Sequence, residues 1–267
     1  ARGASSKSAR QRQSLRDAEH DPTPLAQGRQ QRLRGNARRV ARRSTDDHAV
    51  ERVGLPVADR ADREHTFGGV PVKGDEALRL DREGVGDRAL MNDVNCPWSV
   101  PQALEMERLY KPFDLYWFEE PVWPPEDFAT LAEVRTRGGL NIAAGENACT
   151  AYQFREMMKA GAVSHAQPSV IKVGGITEYL KVVELADAFG IRLAPHSPYF
   201  GPGLLATLQL MSLRDDATFV EVFYMKRAAC LWRGRIDVDA NGDIEVPQGP
   251  GLGYEPDKAV MEQYRVS

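Results

Sequence analysis

The chain has 267 residues, a net charge of −3 and a hydrophobic fraction of 42%, which allow one large domain or two small ones and give no reason to expect a nucleic-acid partner. No apolar run approaches the ~20 residues of a membrane span and no signal peptide opens the chain, so a membrane partner is not expected. The cysteines, Cys96, Cys149 and Cys230, are three in number and far apart, so a disulfide framework or a zinc site is not expected, and a reducing cytoplasm is the expected location.

The first part of the chain differs sharply from the rest. Residues 1–66 contain no Phe, Trp or Tyr and carry 14 Arg and one Lys against nine acidic residues. Such a segment cannot bury enough apolar surface to offset its chain entropy, so we expect it not to pack against a folded domain. We predict that residues 1–88 are a disordered or out-of-frame segment. A basic arm for nucleic acid or membrane is a further interpretation, which the missing aromatic residues disfavour.

From residue 89 onward, short apolar runs alternate with longer stretches of helical period. In chain order, the predicted strands are 89–95, 115–121, 141–147, 163–169, 191–197 and 218–224, and the predicted helices are 99–110, 125–137, 150–161, 177–190 and 201–213. This alternation predicts a parallel sheet with right-handed helical crossovers. Residues 89–267 are therefore expected to form one domain.

A polar residue stands at the C-terminal end of each predicted strand. These residues are Asp93, Glu119, Glu146, Ser169, His196 and Glu221, and the gaps between them are 26, 27, 23, 27 and 25 residues. A fixed period with a polar residue at each strand end is typical of a (β/α)8 barrel with its active site at that edge. We predict an α/β fold of this TIM-barrel type, incomplete at its N-terminal side. A doubly wound sheet is the alternative, but no Gly-rich first turn supports it.

The first three of these side chains suggest a metal site. Carboxylates from Asp93, Glu119 and Glu146 at the ends of consecutive strands would repel one another unless a cation neutralised them. Mg2+ takes oxygen ligands and keeps positions open for water or substrate. We predict that these three residues bind Mg2+. The alternative is three solvated acids in loops. Glu120 points away from Glu119 and should pair with a neighbouring strand or helix.

Five motifs give the chain a resemblance to a known family. They read "DVNCPW", "WFEEP", "AAGEN", "QPSVIKVGGITE" and "APHSPYFGPG". Together they resemble the mandelate racemase branch of the enolase superfamily, also known as the mandelate racemase/muconate lactonizing enzyme family, over roughly residues 82 to 267. The resemblance implies a Mg2+-dependent enzyme, expected as a homo-oligomer, that removes the proton α to the carboxylate of a small molecule. It implies that Asp93, Glu119 and Glu146 are the metal ligands.

The resemblance also implies roles for the remaining strand-end residues. His196 matches the family's base, Glu221 its acid, and Asn95 and Ser169 are expected to contact substrate. The chain departs from the family pattern at Ser169, where a carboxylate usually accompanies the base. It also lacks the K-x-K base of the second strand, since one repeat before Asp93 falls on Phe67.

The first functional hypothesis is dehydration of a sugar acid, because one base suffices for it. A racemase or epimerase would need a base on each face of the α-carbon. A catalytically impaired, truncated barrel is the third possibility. His165 shares a strand face with Ser169 and is expected to be a core histidine rather than a catalytic group.

Overall fold

The computed structural model describes residues 52–54, 65–67, 70–72, 74–214, 219–222, 229–232, 236, 238–239 and 242–266. The strands of this part are β1 (Arg52–Gly54), β2 (His65–Phe67), β3 (Val70–Val72), β4 (Leu90–Asp93), β5 (Leu115–Glu119), β6 (Ile142–Ala144), β7 (His165–Ala166) and β8 (Arg192–Leu193). Its α-helices are α1 (Gly74–Val85), α2 (Val100–Tyr110), α3 (Phe128–Gly138), α4 (Ala151–Lys159), α5 (Ile176–Phe189), α6 (Pro202–Met211) and α7 (Lys258–Gln263), and a 3-10 turn (Lys111–Phe113) follows α2.

Six of the strands form one parallel sheet in the order β1-β4-β5-β6-β7-β8. From β4 to β8 sequential strands are neighbours, and one helix lies between each pair in the chain. β2 and β3 form a separate antiparallel pair. The predicted α/β fold is confirmed, and the sheet is that of a (β/α)-type barrel with fewer than eight strands in the described residues.

Two apolar layers hold the sheet. The larger one joins the helices to the outer faces of the strands and includes Phe118, Ile142 and Tyr179, which are fully buried. The smaller one lies on the opposite strand face and consists of Met91, Trp117, Ala143 and Ala194. Because side chains alternate along a strand, Glu119 shares the face of Trp117 rather than that of Phe118. The carboxylate therefore lies on the inner side of the sheet.

α2 and α4 are two of the helices that begin at a capping residue. The Ser99 amide donates to Gln102 Oε1 at 3.0 Å at the start of α2, and the Thr150 hydroxyl accepts from the Gln153 amide at the start of α4. The sequence also suggests Thr177 as the cap of the predicted helix 177–190, but this is wrong, because α5 begins at Ile176 after Gly175. Its predicted end is confirmed, since Gly190 has a φ of 66°, which glycine adopts without steric cost.

The structure corrects the expectation for the first part of the chain. Residues 52–54 do pack on the sheet, because β1 pairs in parallel with β4 and places Gly54 beside Asp93. The strand next to β4 is therefore not at Phe67, which pairs with Val70 in the hairpin. Helix α1 also belongs to the fold, since Leu78 and Val85 are buried in the main core. The division at residue 88 remains a prediction, and residues 1–51 and Lys73 lie outside the described residues.

All five predicted strands from β4 to β8 are shorter than the sequence pattern suggests, and β6, β7 and β8 are the shortest. β6 ends before Gly145, whose φ is 133°. β7 and β8 end shortly before Pro168 and Pro195, which have no amide hydrogen for a strand ladder. Of the predicted strand 218–224, the described residues 219–222 are not assigned to a strand, so that prediction is wrong for this part. The polar residues Glu146, Ser169 and His196 consequently lie in turns just beyond the strands.

Candidate active site

The predicted site residues gather at the C-terminal edge of the parallel sheet. Glu119 ends β5, and Glu146 and His196 lie in the turns after β6 and β8. Each offers a ligand atom, and these three atoms all lie within 4.8 Å of one another. All three side chains are buried, at 2%, 8% and 8% exposure. Burying two carboxylates together is costly unless a cation or a donor compensates their charge.

His196 lies against two carboxylates of the site. Its Nδ1 atom lies 2.7 Å from Glu146 Oε2 and 3.4 Å from Glu221 Oε2. Neither contact has hydrogen-bond geometry in the described part of the chain. Glu221 is held in place by Ser197, whose amide donates to Glu221 Oε2 at 3.2 Å and whose hydroxyl donates to the Glu221 carbonyl at 2.9 Å. The structure thus places Glu221 beside His196, and the catalytic roles of both residues remain predictions.

Asp93 is not part of the three-atom group. It lies beside Glu119 in the sheet register, and it is buried at 4% exposure. Its carboxylate accepts from the amide and from the side-chain Nδ2 of Asn95, each at 3.1 Å. Asn95 reaches this position because its φ is 52°, in the left-handed region that asparagine tolerates. The metal role of Asp93 and the substrate role of Asn95 remain predictions.

Glu119 and Glu120 take different partners. Trp117 Nε1 donates to Glu119 Oε2 at 3.0 Å. Glu120 is also buried, and its carboxylate accepts from Asn147 Nδ2 and from Cys96 Sγ. Its partners lie in the turns after β4 and β6, rather than on a strand or helix as expected. Burial, together with the charge of Glu146, raises the pKa of Glu120 to about 7.

His165 is a core residue, as the sequence predicted. It is 2% exposed, and its ring lies 5.2 Å from the rings of Tyr116 and Trp117. The Ser164 hydroxyl lies 3.2 Å from His165 Nδ1. Burial, reinforced by the charge of Arg192, lowers the pKa of His165 to about 4. The ring is therefore neutral at pH 7.

Ser169 has a partner that the sequence did not suggest. It is fully buried, and its hydroxyl forms a hydrogen bond with the Tyr199 hydroxyl. This hydrogen bond gives the Ser169 hydroxyl a partner within the protein, whereas the sequence predicted a contact between Ser169 and substrate. Tyr199 lies three residues after His196, in a turn with no strand or helix periodicity, so no sequence pattern marked it.

Lys172 was also missed. Its Nζ atom lies 3.8 Å from Glu146 Oε1. It precedes Gly174 and Gly175 in the turn after β7. A lone lysine before two glycines carries no pattern that would distinguish it from a solvated side chain.

The family model of the enolase C-terminal domain-like proteins matches residues 56–260. The chain belongs to this family. The resemblance of the five motifs to the enolase superfamily is thereby confirmed. The match begins before residue 82, where the resemblance was expected to begin, and it includes the helix α1.

Characterised members of the enolase C-terminal domain-like family resemble this chain over most of its length. The 3,6-anhydro-alpha-L-galactonate cycloisomerase of Streptomyces coelicolor is 38% identical over 213 residues, which make up 74% of this chain and 57% of that protein. The arabinonate dehydratase of Saccharolobus solfataricus is 32% identical over 194 residues, or 71% of this chain and 51% of that protein. The chain therefore spans about half the length of these curated relatives.

Solved structures of the same enolase-type family show the same architecture. The 3,6-anhydro-D-galactonate cycloisomerase from Zobellia galactanivorans superposes with a TM-score of 0.65 at 30% identity, covering 71% of this chain and 54% of that one. The L-talarate dehydratase from Polaromonas sp., crystallised with Mg and L-glucarate, gives a TM-score of 0.62 at 30% identity, covering 73% and 53%. The relatives include both sugar-acid dehydratases and cycloisomerases. No helix in the described residues is long and apolar enough to cross a membrane.

Proposed function

We propose that this chain carries the site of a Mg2+-dependent enzyme that removes the proton α to the carboxylate of a sugar acid and eliminates the β-hydroxyl as water. The observation that carries this proposal is the convergence of Glu119, Glu146 and His196 within 4.8 Å at the sheet edge where barrel enzymes bind substrate. Two buried carboxylates and one imidazole in such proximity combine a cation site with a proton acceptor.

The side chains fit a hard divalent cation. Glu119 and Glu146 present oxygen atoms from a buried position, which is the donor chemistry that Mg2+ prefers. Asp93, beside Glu119 in the register, is the proposed third ligand. When bound, Mg2+ supplies positive charge that stabilises the substrate carboxylate as negative charge builds up on it. The relative crystallised with Mg and L-glucarate supports this choice of ion.

His196 is the proposed base. It lies beside the carboxylates rather than on the surface, and it is 8% exposed. On taking the α-proton the ring becomes positively charged, and Glu146 and Glu221 stand 2.7 Å and 3.4 Å from Nδ1 to stabilise that charge. The same ring can then return its proton to the departing hydroxyl, which leaves as water. Glu221 is thus proposed to act with His196.

A single base favours elimination over racemisation. Inversion at the α-carbon requires a second base on the opposite face. In the described residues of the strand next to β4, which are 52–54, the sequence is Arg-Val-Gly and includes neither Lys nor His. Dehydration needs no second base, because the proton removed by His196 can be delivered to the leaving group.

Cycloisomerisation is a second candidate, because a 38% identical relative carries that activity in its name. In a 3,6-anhydro sugar acid the ring oxygen is attached to the carbon β to the carboxylate. Removing the α-proton then expels that oxygen and opens the ring, with no water lost. The required side chains are the same, so the substrate alone decides between the two reactions.

The test is turnover by the complete 267-residue chain. Purified protein with Mg2+ would be incubated in D2O with a panel of aldonic, aldaric and 3,6-anhydro acids, and products would be identified by NMR and mass. We expect an aldonate or aldarate to lose one water and to take up one solvent deuteron at the β-carbon as the enol becomes the ketone, with activity reduced by roughly 100-fold or more in His196→Asn. Ring opening of a 3,6-anhydro acid with the same deuterium uptake and no loss of water would establish the cycloisomerase instead. α-Deuteration without elimination, or no turnover of any acid, would contradict both.

A further inference from the structure

A tyrosine in the turn after β8 occupies a position that the proposed mechanism has not used. The Tyr199 hydroxyl forms its hydrogen bond with Ser169, in the turn after β7, and Ser169 is fully buried. One bond thus joins two turns at the edge of the sheet where Glu119, Glu146 and His196 meet. A hydroxyl pair inside the protein is directional, so it fixes the position of the phenol ring.

The Tyr199 ring is also confined by packing. A Cβ added at Gly203, in α6, would lie 2.9 Å from Tyr199 Cδ2 and 2.7 Å from Ile171 Cγ2. Such distances are shorter than side chains tolerate, so the glycine provides the space that the ring occupies. Gly203 is itself buried. Ser169 therefore holds the phenol at its hydroxyl, and the start of α6 packs against the side of its ring.

The confined ring contacts the proposed base. The centroids of the Tyr199 and His196 rings are 5.8 Å apart, with an interplanar angle of 79°. This is the edge-to-face arrangement that aromatic pairs prefer. His196 Nδ1 forms no hydrogen bond in the described part of the chain, despite its two carboxylate neighbours. The Tyr199 ring is therefore a restraint on the plane of the imidazole in addition to the carboxylate contacts.

We propose that Tyr199 is a positioning residue for His196, and that the Ser169–Tyr199 hydrogen bond anchors it. In this arrangement Ser169 acts on the base through the phenol ring. The ring restricts rotation of the imidazole and keeps one nitrogen directed to the site. The catalytic consequence rests on the proposed function, whereas the restriction of the ring does not.

The experiment compares four forms of the full chain: wild type, Ser169→Ala, Tyr199→Phe and the double variant. Tyr152→Phe, at an exposed tyrosine on α4, is the control. Circular dichroism establishes that each variant is folded. NMR then follows the His196 ring signals and their nuclear Overhauser contact with the Tyr199 ring, with and without Mg2+. Activity on any acid that the wild type converts gives kcat and KM.

We expect Ser169→Ala and Tyr199→Phe each to weaken the ring contact and shift the His196 signals, while Tyr152→Phe does neither. The double variant should match the single ones, because both remove the same bond. In an active chain kcat should fall roughly 10- to 100-fold with KM changed less than about threefold, since misplacement of a base affects chemistry more than binding.

Unchanged His196 signals in both single variants would overturn the proposal, and so would losses in kcat that add in the double variant. If the wild type converts no acid, the NMR comparison alone decides whether Tyr199 positions His196. In that case the absence of turnover counts against the proposed function and leaves the positioning result intact.

Discussion

Glu146 Oε2 lies 2.7 Å from His196 Nδ1, which places a buried carboxylate from the turn after β6 against the ring from the turn after β8. The same carboxylate faces Lys172, whose Nζ atom is 3.8 Å from Oε1. Glu146 is thus the residue at which the proposed metal, the proposed base and a lysine meet. Its charge should matter more than that of any exposed glutamate.

Replacing Glu146 with Gln keeps the shape of the side chain and removes its charge. We expect Mg2+ affinity, measured by isothermal titration calorimetry, to fall at least about tenfold, because a neutral amide is a weaker ligand for a hard cation. Glu184→Gln, an exposed position on α5, should leave the affinity unchanged. Equal affinities in wild type and Glu146→Gln would remove Glu146 from the metal site.

Glu107 should make the protein less stable as the pH rises. It lies in α2 at 1% exposure, and burial raises its pKa from 4.5 to about 7. Between these two values the folded state holds a proton that the unfolded state has lost. The free energy of unfolding therefore decreases as the pH rises from 4.5 to 7, by at most about 3 kcal/mol from this group. Urea unfolding of wild type and Glu107→Gln across this range measures it, since the variant should lack that decrease.

His165 should act in the opposite direction. Burial lowers its pKa from 6.5 to about 4, so between these values the unfolded state binds a proton that the folded state does not. The free energy of unfolding therefore falls as the pH drops from 6.5 to 4. His165→Phe keeps a ring between Tyr116 and Trp117 and should remove this decrease. The difference in unfolding free energy between wild type and His165→Phe should change with pH in the direction opposite to that found for Glu107→Gln. A change in the same direction would contradict the pKa assigned to His165.

Gly138 should not accept a side chain while Glu107 is present. A Cβ at Gly138 would lie 0.9 Å from Glu107 Oε2, and that carboxylate is held by the Leu140 amide at 3.3 Å. We expect Gly138→Ala to reduce the free energy of unfolding by about 1–3 kcal/mol through overpacking. In a Glu107→Ala background the same substitution should cost clearly less. Thermal and urea unfolding of wild type, Gly138→Ala, Glu107→Ala and the double variant test this. An equal loss of unfolding free energy from Gly138→Ala in both backgrounds would contradict the prediction.

The sequence determined the alternation of strands and helices and the positions of the strand-end residues. Apolar runs, the cap at Ser99 and the stop at Gly190 act locally, so a local pattern predicts them. The period near 25 residues placed Glu119, Glu146 and His196 at one sheet edge, because parallel strands end on the same side. Their assignment to one site followed from that geometry.

Only the tertiary structure decided which of these side chains meet. The three-atom group contains His196 and not Asp93. The Asp93 carboxylate accepts a hydrogen bond from Asn95, whose backbone is left-handed. β1 joined the sheet beside β4 although its composition carries no strand signal, because pairing with an open edge supplies backbone hydrogen bonds that no side-chain pattern reveals. Ser169 and Tyr199 meet through their side-chain hydroxyls, which extend from two different turns. The distance between two turns depends on how the strands are arranged in space, and a sequence pattern does not contain this information.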